Sequence, residues 1–370
     1  KATTQCLPAL LAEVSSKDAA ISNRAAEAVD ALHRIFDIKK RGPVANSLFL
    51  AEILAGSPKL VGRESFIGDR LHLPANWNEL LKHEPAANER VNASIRDSQV
   101  NNVTVDPDTA WDWNLITSVF KWPSDVFRLQ DTLENRNFVR RVVGFFKPSG
   151  NKFSAVELKM SNGKHNKRSK YLAKTGCYLM DFLVSDGSTE LSKALDDFLS
   201  DIQNNFRALI DAPSTHDCFF SPTRVATTSC QYYFLLVGRL SRSNNGRQAL
   251  DRHQILHTLS LMLSLRSDLY MKLVVSSLDY SASDWGSRNL LSKALTKESE
   301  SCRLYATRFL GILIRSRTSY IAQWGINLLV CQLFDSSKAI AWVALEILED
   351  ACDDKMNLEA VVLAIKSRPL

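Results

Sequence analysis

The stretch that decides the fold begins at Asn289, because the sequence from there onward repeats itself. Asn289–Leu295 reads NLLSKAL, and 38 residues later Asn327–Leu333 reads NLLVCQL. The same shift maps CRLYATRFLGIL at Cys302–Leu313 onto IAWVALEILEDA at Ile340–Ala351. Apolar residues recur at helical spacing in both blocks, so one repeating unit consists of two helices and their turns.

A period of about 40 residues with paired helices is typical of HEAT and armadillo arrays. A single helix pair cannot bury its apolar stripe alone, and small residues such as Ala306 and Ala344 let the next pair pack closely. Glycine and proline are sparse, at 14 and 11 of 370 residues, which also favours helices over turn-rich sheets. The sequence therefore predicts an all-α fold, an armadillo/HEAT-like α-solenoid of stacked helix pairs.

Composition shifts divide the chain into four predicted segments. Glycines and prolines cluster between residues 56 and 85 and interrupt the helical pattern. The predicted segments are N-terminal helical repeats at 1–56, an irregular connection at 57–110, a middle helical domain at 111–211 with a basic flexible loop at 149–170, and armadillo/HEAT-like repeats at 212–370.

Individual helices follow from apolar spacing and from capping residues. Ile21–Phe36 is predicted to be an amphipathic helix, residues 45–55 a second, and Glu89–Ser98 a third. Asp108 or Thr109 is placed to cap a further helix, which stops at Trp122-Pro123 because proline disfavours the helical conformation of its predecessor.

The bulk composition excludes several classes of protein. A net charge of +6 with 23% charged residues does not indicate a nucleic-acid-binding protein. The seven cysteines form no CxxC pair, which favours free thiols in a reducing compartment. No apolar run is long enough to span a bilayer and no signal peptide is visible, so we expect a cytoplasmic protein. Because the chain begins at Lys1, we expect it to be a fragment of a longer protein.

No catalytic constellation emerges from the sequence. GxGxxG, GxxxxGK[ST], HExxH and GxSxG are all absent, so we predict neither a catalytic residue nor a metal site. His253 and His257 stand at i, i+4 and can face a metal, but they are equally a solvated pair, since no acidic or cysteine partner lies nearby in sequence. Cys302 and Cys331 fall within apolar stripes and are expected to be buried structural thiols.

Three clusters are candidates for binding. Arg140 and Arg141, followed by Lys147, can grip phosphate oxygens if a neighbouring helix supplies a pocket, or are simply exposed charges. The basic run Lys159–Lys174 contains six Lys or Arg and no acid; it either binds phosphoinositides or anionic proteins or is a solvated loop. Trp111 and Trp113 are predicted to lie on different faces of a helix, with at least one in the core.

Several segments, in conserved order from Ala20 to Leu358, resemble the Rictor family, whose members are rapamycin-insensitive subunits of target-of-rapamycin complex 2. Each motif is short, and it is their number and order that make the resemblance specific. The segments are IRDSQV at 95–100, WDWNLI at 111–116, KWP at 121–123, FVRR at 138–141, KPS at 147–149, VSSLDYS at 275–281, CRLYAT at 302–307, WGI and LLV within 324–330, and ACDDKMNL at 351–358.

The resemblance implies a helical-repeat scaffold without enzymatic activity. Such a scaffold docks on the target-of-rapamycin kinase, on a Sin1-type substrate-recruiting subunit and on the other complex 2 subunits, and it supports phosphorylation of AGC kinases such as Akt. It implies a cytoplasmic protein that associates peripherally with membranes through the assembled complex. The family's C-terminal part of this region is likened to the N-terminal module of Ras exchange factors, which is structural.

The resemblance also implies a peripheral site for ATP or an inositol phosphate, with Arg140 and Arg141 as its matching residues. This sequence departs from the family nearby, with Asn137 in place of a basic residue and Gly144 in place of an aromatic one. Two functions besides a scaffold therefore stay open: a helical adaptor that regulates a small GTPase, and a nucleotide- or phosphate-sensing domain.

Overall fold

The computed structural model describes most of the chain from residue 84 onward. The described residues are 18, 20–25, 28, 84–107, 110–121, 132–159, 166–185, 189–212, 218–265, 267–282, 286–316 and 320–367. The chain divides into two units, Lys1–Val44 and Ala45–Leu370. In the first unit residues 20–25 are helical, so the helix begins one residue before the predicted helix Ile21–Phe36. The predicted helix at 45–55 and the predicted stop at Trp122-Pro123 lie outside the described residues.

The described part of the second unit is built from α-helices. Three 3₁₀ turns, Pro148–Gly150, Phe153–Ala155 and Ser229–Gln231, lie between them. The helices are α1 Glu84–Asp97, α2 Trp113–Lys121, α3 Leu133–Phe146, α4 Lys167–Ser185, α5 Thr189–Asp211, α6 Pro222–Thr227, α7 Tyr232–Leu240, α8 Asn244–Arg252, α9 Ile255–Met262, α10 Asp268–Ser277, α11 Ser287–Leu295, α12 Glu300–Arg315, α13 Ile321–Gln332, α14 Lys338–Ala351 and α15 Lys355–Lys366.

Side chains cap several of these helices where the sequence supplies a hydroxyl or a carboxylate. The amide of Asn135 donates to Thr132 Oγ1 at the start of α3, over 3.2 Å. Ser243 accepts from the amide of Gly246 at α8, and Asp354 accepts from the amide of Met356 at α15, both over 3.0 Å. Each cap satisfies an amide that has no partner within its helix, which fixes where the helix begins.

The helices of the second unit stack in two rows. In one row α2, α4, α7, α10, α12 and α14 each contact the next. In the other row α3 contacts α5, α5 contacts α9, and further along α13 contacts α15. Short-range pairs such as α11–α12 and α13–α14 join the rows. The described residues contain no named strand, only an isolated bridge between Glu157 and Thr228, so the predicted all-α fold of stacked helix pairs is confirmed.

The predicted repeat is confirmed in register. Helices α12 and α14 begin at Glu300 and Lys338, which are 38 residues apart. Both copies of the apolar stripe are buried: Cys302, Ala306, Phe309, Leu310 and Leu313 in α12, and Ile340, Ala344, Ile347, Leu348 and Ala351 in α14. The two helices approach closely at Gly311, where an added Cβ would lie 2.8 Å from Ile347 Cδ1.

Polar contacts between consecutive turns tie the repeats together along one edge. The guanidinium of Arg303 on α12 donates to both carboxylate oxygens of Asp335, over 2.6 and 3.0 Å, in the turn before α14. The Ser337 hydroxyl donates to Glu300 Oε1 over 2.5 Å. One repeat earlier, Ser299 Oγ donates to Asp268 Oδ2 over 3.1 Å. These bonds set the spacing of neighbouring repeats, which apolar packing alone leaves less defined.

Two segments differ from their sequence-based description. The irregular connection predicted for 57–110 contains α1 at Glu84–Asp97, which covers most of the helix predicted at 89–98. Residues 149–159, within the predicted flexible loop, fold back on the core because Phe153 is fully buried. The amide of Leu158 also donates to the Thr227 carbonyl over 2.9 Å. The loop ends earlier than predicted, since α4 begins at Lys167. None of the helices described is long and apolar enough to cross a membrane.

Candidate functional site

The predicted phosphate-binding arginines lie on α3, where they point in different directions. Arg140 is exposed and Arg141 is half-buried, because neighbouring residues of a helix are about 100° apart. The guanidinium of Arg141 lies over the ring of Trp111, 5.8 Å from its centroid. An arginine over an indole face is held by cation–π attraction, so Arg141 is positioned rather than free to follow solvent.

Lys147 is placed by a different interaction. It follows the last residue of α3, and its ammonium forms an ion pair with Asp197 of α5. The next turn is fixed to the same helix, because the amide of Ser149 donates to Asp201 Oδ2 over 2.8 Å. The lysine charge is therefore balanced by a carboxylate, and a phosphate site formed by Arg140, Arg141 and Lys147 stays a prediction.

The Trp111 ring beneath Arg141 belongs to an aromatic cluster. Trp113 begins α2, whereas Trp111 precedes the helix, so the prediction that the two lie on different faces of one helix is wrong. Their centroids are 5.6 Å apart, and Phe145 of α3 lies 4.5 Å from the Trp113 ring. Trp111 is 6% exposed, which confirms that at least one tryptophan belongs to the core.

Three N–H donors in this cluster have no hydrogen-bond acceptor among the described residues. They are Arg141 Nη1, Trp111 Nε1 and Trp113 Nε1, and each atom is buried. A buried donor without an acceptor costs about 1–3 kcal/mol. The cluster therefore has unused capacity for a water or for an oxygen atom of a ligand. Nearby on α3, a side chain added at Gly144 would begin in open space, with no atom within 4 Å of its Cβ.

The histidines and Cys302, the other reactive side chains considered in the sequence, do not form a reactive site among the described residues. His253 Nε2 lies 2.9 Å from Asp196 Oδ1 on α5, while His257 is exposed. Among the residues that the structure describes, no group of three His, Cys, Asp or Glu side chains can hold a metal ion. Burial, and then a hydrogen bond with Asp268, raises the pKa of Cys302 to about 11, so its thiol is protonated at neutral pH.

Cys331 corrects the prediction that both thiols are buried. It is exposed, although it stands in an apolar stretch of α13. Its counterpart one repeat earlier, Lys293, is exposed as well. The repeat register therefore assigns this position to the outer face of the helix. The apolar residues on either side of Cys331 made it look buried in the sequence.

Several large apolar side chains are exposed on α14 and α15, and together they are called the terminal apolar surface. Its large side chains are well exposed, with Trp342 at 63% and Leu345 at 50%. The surface consists of Trp342, Leu345, Leu358, Val362, Leu363 and Ile365. Exposed apolar surface of this kind marks contact sites in soluble proteins. The period of 38 residues is the signal that could have found it, since Leu345 takes the place of Thr307, which is fully buried.

Paired helices stacked in two rows, bound together by buried stripes and edge contacts, define the class of α-solenoid repeat proteins. Two family models match the chain in this part. The model described as the middle domain of the rapamycin-insensitive companion of mTOR matches residues 211–314, and the model for the RasGEF_N domain of the same family matches residues 320–367.

Relatives of known name extend the match over almost the whole chain. The rapamycin-insensitive companion of mTOR from Mus musculus is 34% identical over 360 residues, which cover 96% of this chain and 20% of the relative. The target of rapamycin complex 2 subunit ste20 of Schizosaccharomyces pombe is 27% identical over 69% of this chain and 19% of its own length. The chain thus spans about a fifth of the length of the curated relatives it matches.

A solved engineered protein aligns with 97% of this chain and 81% of its own at 13% identity, but with a TM-score of only 0.24. The assignment therefore depends on the sequence matches. The chain is a Rictor-like central region, as the resemblance of its ordered motifs predicted.

Proposed function

We propose that this chain is a non-catalytic scaffold segment of a target of rapamycin complex 2. The observation that carries the proposal is the stack of helices tied by an ion-paired edge, with large apolar side chains exposed on α14 and α15. A stack with buried stripes and an ion-paired edge presents fixed faces to partners, and the exposed apolar side chains of α14 and α15 supply contact area. The names of the matched relatives support complex 2 as the assembly.

In this proposal the segment docks the target-of-rapamycin kinase and a Sin1-type substrate-recruiting subunit within the assembly of complex 2 subunits. It supports phosphorylation of AGC kinases such as Akt by holding subunits in place, and it makes or breaks no bond. The protein works in the cytoplasm and reaches membranes peripherally through the assembled complex. Nucleic acid is not among its partners, because the net charge of +6 is modest.

Affinity capture of the tagged chain from cell extract tests the proposal. We expect the kinase and the Sin1-type subunit to return with the wild-type chain, and the Trp342→Asp/Leu345→Asp variant to recover at least about tenfold less of one of them. The matched control is Val103→Asp/Leu133→Asp, which adds the same charges at apolar positions exposed by 83% and 72%.

Capture of both subunits by the control but not by the terminal-surface variant supports docking through α14 and α15. A wild-type chain that recovers neither subunit contradicts the scaffold proposal. Equal recovery by both variants assigns docking to another surface.

A small-GTPase adaptor is the first alternative, favoured by the RasGEF_N description of the model that matches 320–367. Nucleotide-release assays with a panel of Ras-like GTPases separate the two functions. Acceleration of release by the wild-type chain, absent in the Trp342→Asp/Leu345→Asp variant, would assign exchange activity to this region and contradict a pure scaffold.

A nucleotide- or phosphate-sensing site is the second alternative, favoured by the unused donors around Arg141. Calorimetric titration with ATP and with inositol hexakisphosphate compares the wild type with Arg140→Ala/Arg141→Ala. Loss of heat in the variant supports the site, and equal curves contradict it. Gly144→Tyr adds an aromatic ring where the family has one and where the backbone leaves room, so it is expected to tighten ATP binding.

A further inference from the structure

The exposed side of α14 combines apolar and acidic side chains. Trp342, Leu345, Glu346 and Glu349 are all exposed, and their spacing of three or four residues places them on one face of the helix. These four residues are called the acidic–apolar face. Asp353, in the turn after α14, is exposed as well. This part of the helix therefore offers apolar contact area and negative charge side by side.

The helix one repeat earlier carries different side chains at the same positions. A shift of 38 residues maps Leu304, Thr307, Arg308 and Gly311 of α12 onto the four residues of the acidic–apolar face. All four are buried or half-buried in α12. The exposed face of α14 thus corresponds to a face that is covered elsewhere in the stack, and it carries Glu346 where α12 carries a cation.

Glu349 argues against a further repeat of the same kind as the cover of this face. At the equivalent Gly311 an added Cβ would lie 2.8 Å from Ile347 Cδ1, so α12 and α14 pack at a spacing that leaves no room for a side chain. A helix stacked on α14 at that spacing would collide with Glu349 or bury its carboxylate unpaired, which is strongly unfavourable. The occupant of this face therefore sits further from α14 and brings a cation.

The stability of α14 itself does not explain these acidic residues. Its last turn contains Glu349 and Asp350 and no basic residue, although the negative end of the helix dipole disfavours anions there. The last turn of α12 carries Arg315 instead, which pairs with Asp350. Residues 346–354 contain five acidic side chains and no basic one. A positively charged partner relieves the repulsion within this run.

The tryptophan of the acidic–apolar face is held in position. Trp342 Nε1 donates to Glu346 Oε1 over 2.7 Å. The indole is therefore oriented before a partner arrives, which lowers the entropy cost of binding. Tryptophan is also among the residues that contribute most binding energy at protein interfaces. Trp342 is 63% exposed, so most of its surface is available for contact.

Charge selects among the occupants that could cover an apolar face. An anionic membrane surface is repelled by Glu346 and Glu349. A second copy of the chain would bring the same two carboxylates of both copies together, which confines self-association to high concentration. A helix with Lys or Arg beside its apolar stripe satisfies both the apolar and the acidic part of the face.

We propose that the acidic–apolar face of α14 docks a basic amphipathic helix of a partner protein. Apolar side chains of that helix cover Trp342 and Leu345, and its Lys or Arg side chains pair with Glu346 and Glu349. Lys338 is exposed at the first residue of α14, so the basic residues of the partner lie towards the C-terminal half. The inference rests on the proposed scaffold function and deepens it by naming the chemistry of the docked segment.

Fluorescence polarisation with the purified 370-residue chain tests the inference. The probe is a fluorescein-labelled helical peptide with Leu at positions i, i+3, i+4 and i+7 and with Lys and Ala on its other face. The comparison probe has Glu in place of each Lys. The chain has a net charge of +6, so diffuse electrostatics alone favour the acidic probe. Preferential binding of the basic probe therefore identifies a local acidic site.

Two variants separate the charged and the apolar parts of the face. Glu346→Lys/Glu349→Lys is expected to bind the basic probe at least about tenfold more weakly and the acidic probe more tightly. Lysine is favoured near the end of a helix, so this variant keeps its fold, which circular dichroism checks. Trp342→Ala/Leu345→Ala is also expected to lose at least about tenfold, because apolar anchors carry most of the binding energy. Unchanged binding by either variant would overturn the proposal.

The matched control is Asp97→Lys/Asp211→Lys. It changes the net charge equally at two exposed acidic residues that end other helices, α1 and α5. We expect the control to bind the basic probe within about twofold of wild type. Equal weakening by the control and by the charge-reversed face would overturn the proposal in favour of diffuse electrostatics. Equal affinity of the wild type for both probes would overturn it in favour of apolar contact alone.

Two further outcomes also overturn the proposal. One is loss of probe binding at chain concentrations where sedimentation shows dimers, which would assign the face to a second copy. The other is binding of phosphatidylserine vesicles without binding of either peptide. The assay contains no kinase or Sin1-type subunit. Its failure therefore leaves the capture experiment unaffected, and failure of the capture experiment leaves the peptide binding measurable.

Discussion

Helices α12 and α14 occupy equivalent positions in successive repeats, yet they present different faces to their surroundings. In α12 the face that meets the next repeat carries Thr307, buried beside Gln332 of α13, and Gly311, buried against Ile347 of α14. In α14 the equivalent positions carry Leu345 and Glu349, both exposed. The inward stripes of the two helices are buried alike.

The comparison separates two roles of a repeat. The inward stripe follows from helical periodicity and is present in every copy, because each helix must bury one side. The stacking face depends on whether another helix covers it, and here small or hydroxyl residues mark the covered face. A large apolar residue at an uncovered stacking position is therefore informative about contacts made by the molecule.

The largest expected effect comes from breaking the edge that ties α12 to the turn before α14. Arg303→Ala leaves Asp335 without its partner, and their side chains are only 13% and 7% exposed. Removing one member of a buried pair costs about 3–5 kcal/mol. Urea unfolding of Arg303→Ala is expected to show a loss of this size in the free energy of unfolding.

The control for this prediction is Arg315→Ala, whose partner Asp350 lies on the exposed part of the same helix pair, with side chains 62% and 57% exposed. A loss of no more than about 1 kcal/mol is expected for an exposed pair. If the two variants lose equal free energy of unfolding, the Arg303–Asp335 pair stabilises the protein no more than an ordinary surface ion pair does.

A smaller effect is expected from overfilling the covered stacking face. Gly311→Leu places a side chain against Ile347, which already lies 2.8 Å from an added Cβ, so we expect a loss of about 1–3 kcal/mol. Glu349→Leu makes the same side chain at the uncovered position and is expected to change stability by about 0.5 kcal/mol or less. Thermal unfolding of the two variants measures the difference. Similar shifts of the unfolding midpoint in both would show that α14 does not cover α12 in solution.

The pH dependence of stability sharpens the comparison at the same edge. Hydrogen bonds from Arg303 first, and from the Ser337 amide, lower the pKa of Asp335 in the folded protein. Its contribution to stability is therefore complete above the unfolded pKa of about 3.9 and is lost as the pH falls through the lower, folded value.

Urea midpoints measured from about pH 6 to about pH 3 are expected to fall less steeply for Asp335→Asn than for wild type. The Asp350→Asn variant, which alters the exposed pair, is the comparison and is expected to follow the wild-type profile. Superimposable profiles for all three proteins would contradict a role for Asp335 in acid sensitivity.

The smallest effect on stability is expected at the terminal apolar surface. Trp342→Gln/Leu345→Gln should change the free energy of unfolding by about 0.5 kcal/mol or less, since neither side chain is buried. Self-association should nevertheless fall, because exposed apolar surface drives association. Analytical ultracentrifugation of both proteins measures it; a wild-type chain that stays monomeric at every concentration would argue against an adhesive terminal surface.

Much of the fold was predictable from sequence, whereas little of the candidate site was. The period of 38 residues predicted the paired helices and both buried stripes, because helical spacing is written in consecutive residues. Phe153 lay in a polar, basic stretch and gave no local sign that it is fully buried against Phe146 and Tyr233. A single apolar residue has no period, so only its distant contacts identify it as core.

The sequence by itself determined the helical class, the register of the C-terminal repeats and the resemblance to a family, since all three are carried by residue order. Tertiary structure decided that Lys147 pairs with Asp197, that Arg141 lies over the Trp111 ring and that Phe153 packs against Tyr233. These arrangements join residues that are tens of positions apart. Their partners are selected by how helices pack, and local spacing does not encode that choice.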